Sequence, residues 1–501
     1  MSGRRDPSRS QGRPDRQNQR GKPRRQGSGG RGPRSSQEPR ERSRRADPAR
    51  LAVWEALRAV EKEDAYANLV LPPLLRARNI RGRDAAFATE LTYGTLRLKG
   101  RYDAIIAAVS TRGLDRLDAP LLDALRMGAH QMFGMRVPDH AAVSATVALV
   151  RQEVGAGPAQ FANAILRSVS RQGLQEWLTQ VTAGVADHTE ELALRTSHPG
   201  WIVRAFRQAL AAAGQDNATL PEALEADNVP PEVHLVLRPG VAEVSDAPDT
   251  EPGRWTPTAR ILPGGDPHSM PAVRDARVGV QDEGSQLLTL VAAAAEVSGS
   301  DDHWLDLCAG PGGKTALWGA VLAERRPQGA LLANEISPHR TKLVEGSVAA
   351  VAERLPGLRM QTGDGREAGA DHPQAFDRVL VDAPCTGLGA LRRRPEARWR
   401  RTPADLSELG TLQRELLTSA LQATRPGGVV TYITCSPHLA ETRLVVEDVL
   451  RSTGMGSTED APALAAQVAG AAVPAQSGPY LQLWPHLHGT DAMFCAVIRR
   501  H

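Results

Sequence analysis

Two cysteines sit where a side chain is well placed to act on a bound molecule. Cys385 lies in DAPCTGLG, residues 382–389, directly after the apolar run Val379–Val381, and Cys435 lies in YITCSP, residues 432–437. Both runs read as β-strands, and both cysteines are followed by turn residues. A structural cysteine is ordinarily buried inside an element. A thiol at the end of a strand, against a turn, reads as reactive. A third stretch, DLCAGPGGKT at 306–315, runs from a strand through Gly310, Gly312 and Gly313 into a helix. Glycines there let the backbone approach a ligand closely. The stretch is not a Walker loop, because the position five residues before Gly313 is Cys308 rather than glycine. The dinucleotide pattern fails as well, since Thr315 stands where the last glycine belongs. A nucleoside without a pyrophosphate suits this loop.

Carboxylates follow at the ends of neighbouring strands. Glu335, in LLANEIS, lies 29 residues after Asp306 and is positioned for the two hydroxyls of a ribose. Asp364, between Gly363 and Gly365, suits an exocyclic amino group, although alone it reads as an Asp-Gly turn. Asp382 projects beside Cys385.

Two thiols, a carboxylate and a nucleoside loop suit one kind of reaction. Carbon 5 of cytosine is too weak a nucleophile to attack a sulfonium methyl. A thiolate adding to carbon 6 makes an enamine of the ring and activates carbon 5. The charge that builds at N3 needs a partner such as Asp382. Loss of the C5 proton then expels the thiol. Spacing alone does not say which cysteine is the nucleophile.

The elements that must position these residues are legible as patterns. From about 276 strands alternate with helical stretches (HWLDLCA, ALLANEI, RMQTGD, FDRVLVDAP, GGVVTYITCS, LQLWP, MFCAVIRR), which predicts a parallel doubly wound sheet with ligands at the strands' carboxyl ends. In the usual order of such sheets the fourth and fifth strands are neighbours, which would bring Cys385 and Cys435 to one cleft. Residues 47–175 repeat apolar positions at three-to-four spacing, opening with an N-cap and helical proline at Asp47-Pro48, and predict an all-helical unit. Residues 176–275 are mixed, with VPPEVHLVLRPG as a strand between turns, and suggest a small α+β module or linker. Residues 1–46 hold 15 Lys and Arg against 4 Asp and Glu, and almost nothing apolar; a disordered basic tail is expected. The rest of the chain is acidic, 46 against 53, so the overall charge of +4 comes from the tail. Such an arm suits phosphate contacts, or is simply solvated. Four cysteines without a CxxC pair argue against a zinc knuckle and a disulfide framework, and no metal is expected. No apolar run approaches a membrane span and no signal peptide is apparent, so a cytoplasmic protein is expected. Cys308 and Cys495 read as structural members of apolar strands.

DLCAGPGGKT, DAPCTGLGALRRRPEARWRR and YITCSPHLAET, with VQDEGSQL at 280–287 and PHLHGTDAMFCAVIRR at 485–500, resemble the Nol1/Nop2/Sun family of RNA cytosine-C5 methyltransferases over residues 276–501. ELTYGTLR at 90–97 and FANAILR at 161–167 resemble a NusB-type RNA-binding domain. The resemblance implies an α/β Rossmann-like methyltransferase domain that uses S-adenosyl-L-methionine. It implies Cys435 as the nucleophile, Cys385 in product release, and Asp382 and Lys314 at the reacting base. It places Cys308, Ala309, Gly310, Pro311, Gly312, Gly313, Lys314, Glu335, Arg340, Asp364 and Asp382 around the cofactor. The Arg-rich run 392–401 is expected to meet RNA phosphate. Small-subunit (16S) rRNA is the expected substrate and a monomer the expected state, with a tRNA enzyme or a non-catalytic RNA-binding assembly factor as alternatives. One departure stands out: after TCS the family often has Glu-Asn-Glu, whereas here Thr442 holds the Asn place and only Glu441 matches.

Overall fold

A computed structural model describes residues 46–501; the expected disordered tail lies almost wholly outside them. The first helix, Pro48–Lys62, starts as its sequence dictates: the Asp47 carboxylate accepts from the Arg50 amide, with proline in the first helical turn. Eleven α-helices are described between Pro48 and Ala226, so the helical region continues past 175. Apolar faces at helical spacing build two cores, one around Ala52, Val53, Leu71 and Leu91, the other around Tyr102, Ile105, Leu125 and Leu166.

A small antiparallel sheet follows, made of β1 (Val233–Leu237), β2 (Glu251–Pro252), β3 (Ala259–Leu262) and β4 (Val278–Val280), in the order β2-β3-β1-β4. The expected strand in VPPEVHLVLRPG is β1. Its last partner comes from residues just past 275, so this sheet reaches into the segment that leads to the large sheet.

The large sheet comprises β5 (His303–Asp306), β6 (Ala330–Glu335), β7 (Gly357–Thr362), β8 (Phe376–Asp382), β9 (Thr424–Thr434), β10 (Gly456–Thr458), β11 (Leu481–Gln482) and β12 (Phe494–Arg500). Its order is β10-β12-β9-β8-β5-β6-β7, with β11 also on β12. Strands β5 to β9 are parallel. The sheet is nonetheless mixed rather than wholly parallel, because β12 runs antiparallel along β9 and carries β10 and β11. Successive residues of a strand face opposite sides, and here both sides are covered. On β8, Leu380 joins the core holding Trp304 and Trp318, while Val379 and Val381 join the one holding Leu416 and Tyr432. Among the described residues, no helix is long and apolar enough to cross a membrane.

Candidate active site

The residues singled out in the sequence meet at the carboxyl ends of the parallel strands. Strands β8 and β9 are direct neighbours, with Asp382 opposite Ile433. The two cysteines follow them, and their sulfurs lie 3.4 Å apart. Lys314, in the first turn of the helix Gly313–Arg325, extends from the β5 side and donates to Asp382 Oδ2 at 2.8 Å.

Buried groups nearby make the two thiols unequal. The hydrogen bond from Cys385 lowers the Cys435 pKa, and the Lys314 and Arg394 charges act the same way, against burial and the Asp382 charge. Cys385 is raised by that same hydrogen bond, by burial and by the charges of Cys435 and Glu441. The two thiols are therefore shifted in opposite directions, with the Lys314 and Arg394 charges favouring a thiolate on Cys435. Burial disfavours the charge on Lys314, but Asp382 outweighs it and leaves the lysine above its usual value.

Glu441, the single clean match in its segment, is fully buried. Its carboxylate accepts from the Thr386 amide at 2.7 Å, from the Thr386 hydroxyl, and from the Ser436 hydroxyl at 2.6 Å. Each of those residues directly follows one of the cysteines. Gly389 fixes the same region from the other side: its amide donates to the Cys435 carbonyl at 2.9 Å, and an added Cβ would lie 1.7 Å from the Ala492 carbonyl oxygen. Neither role was visible in the sequence, where Glu441 showed only as a motif match.

The glycine loop forms the other half of the cleft. Residues Cys308–Gly312 turn from β5 into the helix Gly313–Arg325. Cys308 lies in this turn rather than in the apolar strand expected for it, and burial raises its pKa well above the usual value. Cys495 is a fully buried member of β12, as expected. The Ala309 amide donates to the Asn334 carbonyl at 2.9 Å, and the Asn334 side chain donates to the carbonyls of Leu307 and Gly363. One asparagine thus ties the ends of β5, β6 and β7 together. Glu335 is buried at the end of β6 and accepts from the amides of Gly310 (3.0 Å) and Ser337 (3.1 Å). Arg340 reaches back to the Gly310 carbonyl at 2.6 Å. A Cβ at Gly310 would sit 2.3 Å from Glu335 Oε2, so the space before this carboxylate exists only because residue 310 is glycine. Gly312 has φ +106°, and a side chain there would meet Val344 and Ser347. Pro311 accepts from Ser347 at 2.8 Å. Asp364, past the end of β7, is gripped by Arg366.

Asp306 went unnoticed in the sequence except as a landmark. Burial pushes its pKa up to about 7; one oxygen accepts from Thr315 at 2.7 Å and the other has no partner. These donors and acceptors fit a nucleoside with a positively charged sulfur. Glu335 retains lone pairs for two ribose hydroxyls after accepting its two amides, and the glycine turn leaves room for the group.

The Arg-rich run does not present the stripe of charge expected of it. Arg398 is fully buried and donates to the carbonyls of Arg97, Ser197 and Asp227 and to the Asn228 side chain. Arg392 and Arg393 pair with Asp491, and Arg393 also with Asp282. Arg400 donates to the carbonyls of Val60, Asp64 and Ala65. The physical reason is geometric: a guanidinium has five donors, and helix ends and turns from several elements converge here with unpaired carbonyls. Among the described residues, only Arg394 of the six arginines lacks a hydrogen-bond or carboxylate partner.

Fold and cleft together define an S-adenosylmethionine-dependent methyltransferase domain preceded by a NusB-type helical domain. Residues 296–499 match the model of the 16S rRNA methyltransferase RsmB/F family, and residues 47–171 that of the NusB family. A Mycobacterium tuberculosis protein with the provisional description of methyltransferase is 49% identical over 463 residues, covering 92% of this chain and 98% of its own. The ribosomal RNA small subunit methyltransferase B of Vibrio cholerae is 31% identical over 449 residues, 84% and 91% of the two chains. The crystal structure of PH0851 shares the fold with a TM-score of 0.70 at 20% identity, over 90% of this chain and 99% of that one. This chain belongs to the RsmB/F methyltransferase family.

Proposed function

We propose that the protein methylates carbon 5 of a cytosine in small-subunit rRNA through a covalent Cys435–C6 adduct. The observation that carries the reading is the pair of thiols 3.4 Å apart at the ends of β8 and β9, with the Cys435 pKa lowered and that of Cys385 raised. The methyl-bearing sulfonium of S-adenosylmethionine supplies the electrophile. The Cys435 thiolate adds to C6, and the ring's electron pair moves to C5. The Lys314–Asp382 pair holds a proton where negative charge builds on N3. Once C5 carries its methyl group, its proton leaves to a base and the C6–S bond breaks. Cys385, its sulfur 3.4 Å from that of Cys435, is placed to donate to the thiolate as it departs. The substrate class is supported by the family and by the small-subunit RNA enzyme named among the relatives.

The test is methylation of unmodified 16S rRNA followed by bisulfite mapping. Cys435→Ala should lose at least about 10³-fold in rate. Cys385→Ala should accumulate a denaturation-resistant protein–RNA adduct. An active Cys435→Ala enzyme overturns the nucleophile, and an adduct-free Cys385→Ala preparation overturns the release role.

A further inference from the structure

The carboxyl ends of β8 and β9 account for the target base but not for the strand that carries it. The surface beside them is built jointly by the two large domains. Tyr66 precedes the helix Ala67–Ala77 and is 38% exposed, and Leu69, one turn on, is 65% exposed. The guanidinium groups of Arg394 and Arg400 lie 5.4 and 5.5 Å from the Tyr66 ring centroid. The backbone on both sides of Tyr66 is anchored to the methyltransferase domain. Arg400 holds the Ala65 carbonyl at 2.7 Å, and Glu396 accepts from the Ala67 amide at 3.1 Å. Arg394 is exposed and unpartnered among the described residues, and it lies five residues past Gly389, whose amide holds the Cys435 carbonyl. Its charge is also among those acting on Cys435.

We propose that Tyr66, Leu69 and Arg394 form a platform for single-stranded RNA next to the target cytosine, with a flanking base stacked on the tyrosine–guanidinium surface and its phosphate on Arg394. An exposed aromatic beside unpaired guanidinium is the pairing that single-stranded RNA seeks, because every base has a π-face and every linkage a negative charge. The inference rests on the reading that the substrate is RNA. It adds that the helical domain shapes the cleft itself rather than tethering RNA at a distance.

The full chain and its Tyr66→Ala, Tyr66→Phe and Arg394→Ala variants are compared for binding to in vitro transcribed 16S rRNA, and for the KM of that RNA and of S-adenosylmethionine. Tyr66→Ala should weaken RNA binding about tenfold, with the loss in the RNA KM and not in the cofactor KM, while Tyr66→Phe stays near the parent. Arg394→Ala should also flatten the salt dependence. Tyr66→Ala binding RNA as tightly as the parent overturns the platform, and equal losses in Tyr66→Ala and Tyr66→Phe overturn stacking. A parent that methylates RNA alongside an unaffected Tyr66→Ala sinks the platform alone. A parent that binds but never methylates RNA, with weakened Tyr66→Ala, sinks the proposed reaction alone. A parent that binds no RNA sinks both.

Discussion

The strand-end cleft and the arginine run at 392–401 are equally conspicuous as sequence, yet they have opposite relations to water. In the cleft, Lys314, Asp382 and the two thiols lie partly exposed at the carboxyl ends of the parallel strands. In the arginine run, five of six guanidinium groups are spent on carbonyls and carboxylates of this same chain. The difference teaches that charge density does not identify a nucleic-acid surface; what matters is whether the donors remain free. Arg398 joins helical and catalytic segments, and Arg394, four residues earlier, is left for something else.

That contrast can be broken at either end. The largest effect is expected in the cleft. Gly310→Ala places a methyl group against Glu335, and should weaken S-adenosylmethionine binding about 10- to 100-fold by calorimetry, the 1–3 kcal/mol typical of forced overpacking. The same clash within the chain should lower unfolding stability by about 1–3 kcal/mol; equal affinity for the variant would remove Glu335 and its glycine from the cofactor site. Next, Arg398→Ala strands several buried acceptors and should cost about 3 kcal/mol in denaturant unfolding, whereas Arg394→Ala should stay within about 0.5 kcal/mol. Similar values for the two would erase the distinction drawn here. The smallest effect is a slope. Asp227 lies beside Arg398 with both carboxylate oxygens buried and without a hydrogen bond, His198 Nε2 lying 3.8 Å from one of them, and burial pushes its pKa up to about 7. Between about pH 4 and 7 the folded protein keeps a proton that the unfolded chain has released. Stability from this group is therefore full below that window and falls as pH rises through it, by up to about 1.4 kcal/mol per unit. Asp227→Asn should flatten that fall; an unchanged slope would show that Asp227 is ionised in the folded state.

Much of the cleft was legible because its chemistry is local. A glycine turn after a strand, an acidic residue ending the next one and cysteines before turns are each written within a few residues. Adjacency of β8 and β9 followed from the regular order of such sheets. Tertiary convergence was not legible. The antiparallel β12 is set by which edge the chain returns to, and nothing in MFCAVIRR encodes direction. Helices at 188–196 and 200–212 continue the helical region into the stretch that reads as mixed, and Pro199 stands at the N-cap of the second. The burial of Arg398 depends on carbonyls from residues about 170 to 300 positions away in sequence. Glu441 showed its identity but not its three partners, and those partners are what place Thr386 and Ser436 beside each other.

The pairing of β12 with β9 also bears on when the site comes into being. Phe494 stands opposite Thr434, the residue before Cys435, and the antiparallel register runs on to Arg499 against Val429. A nascent chain that has been synthesised through Ser436 already contains both thiols, the glycine loop and the carboxylates. It still lacks the strand that flanks Cys435, and Ala492, whose amide donates to the Gly389 carbonyl. Such long-range pairing forms late because its loop must close first. A partly made chain thus holds both cysteines before the strand that borders Cys435 is in place.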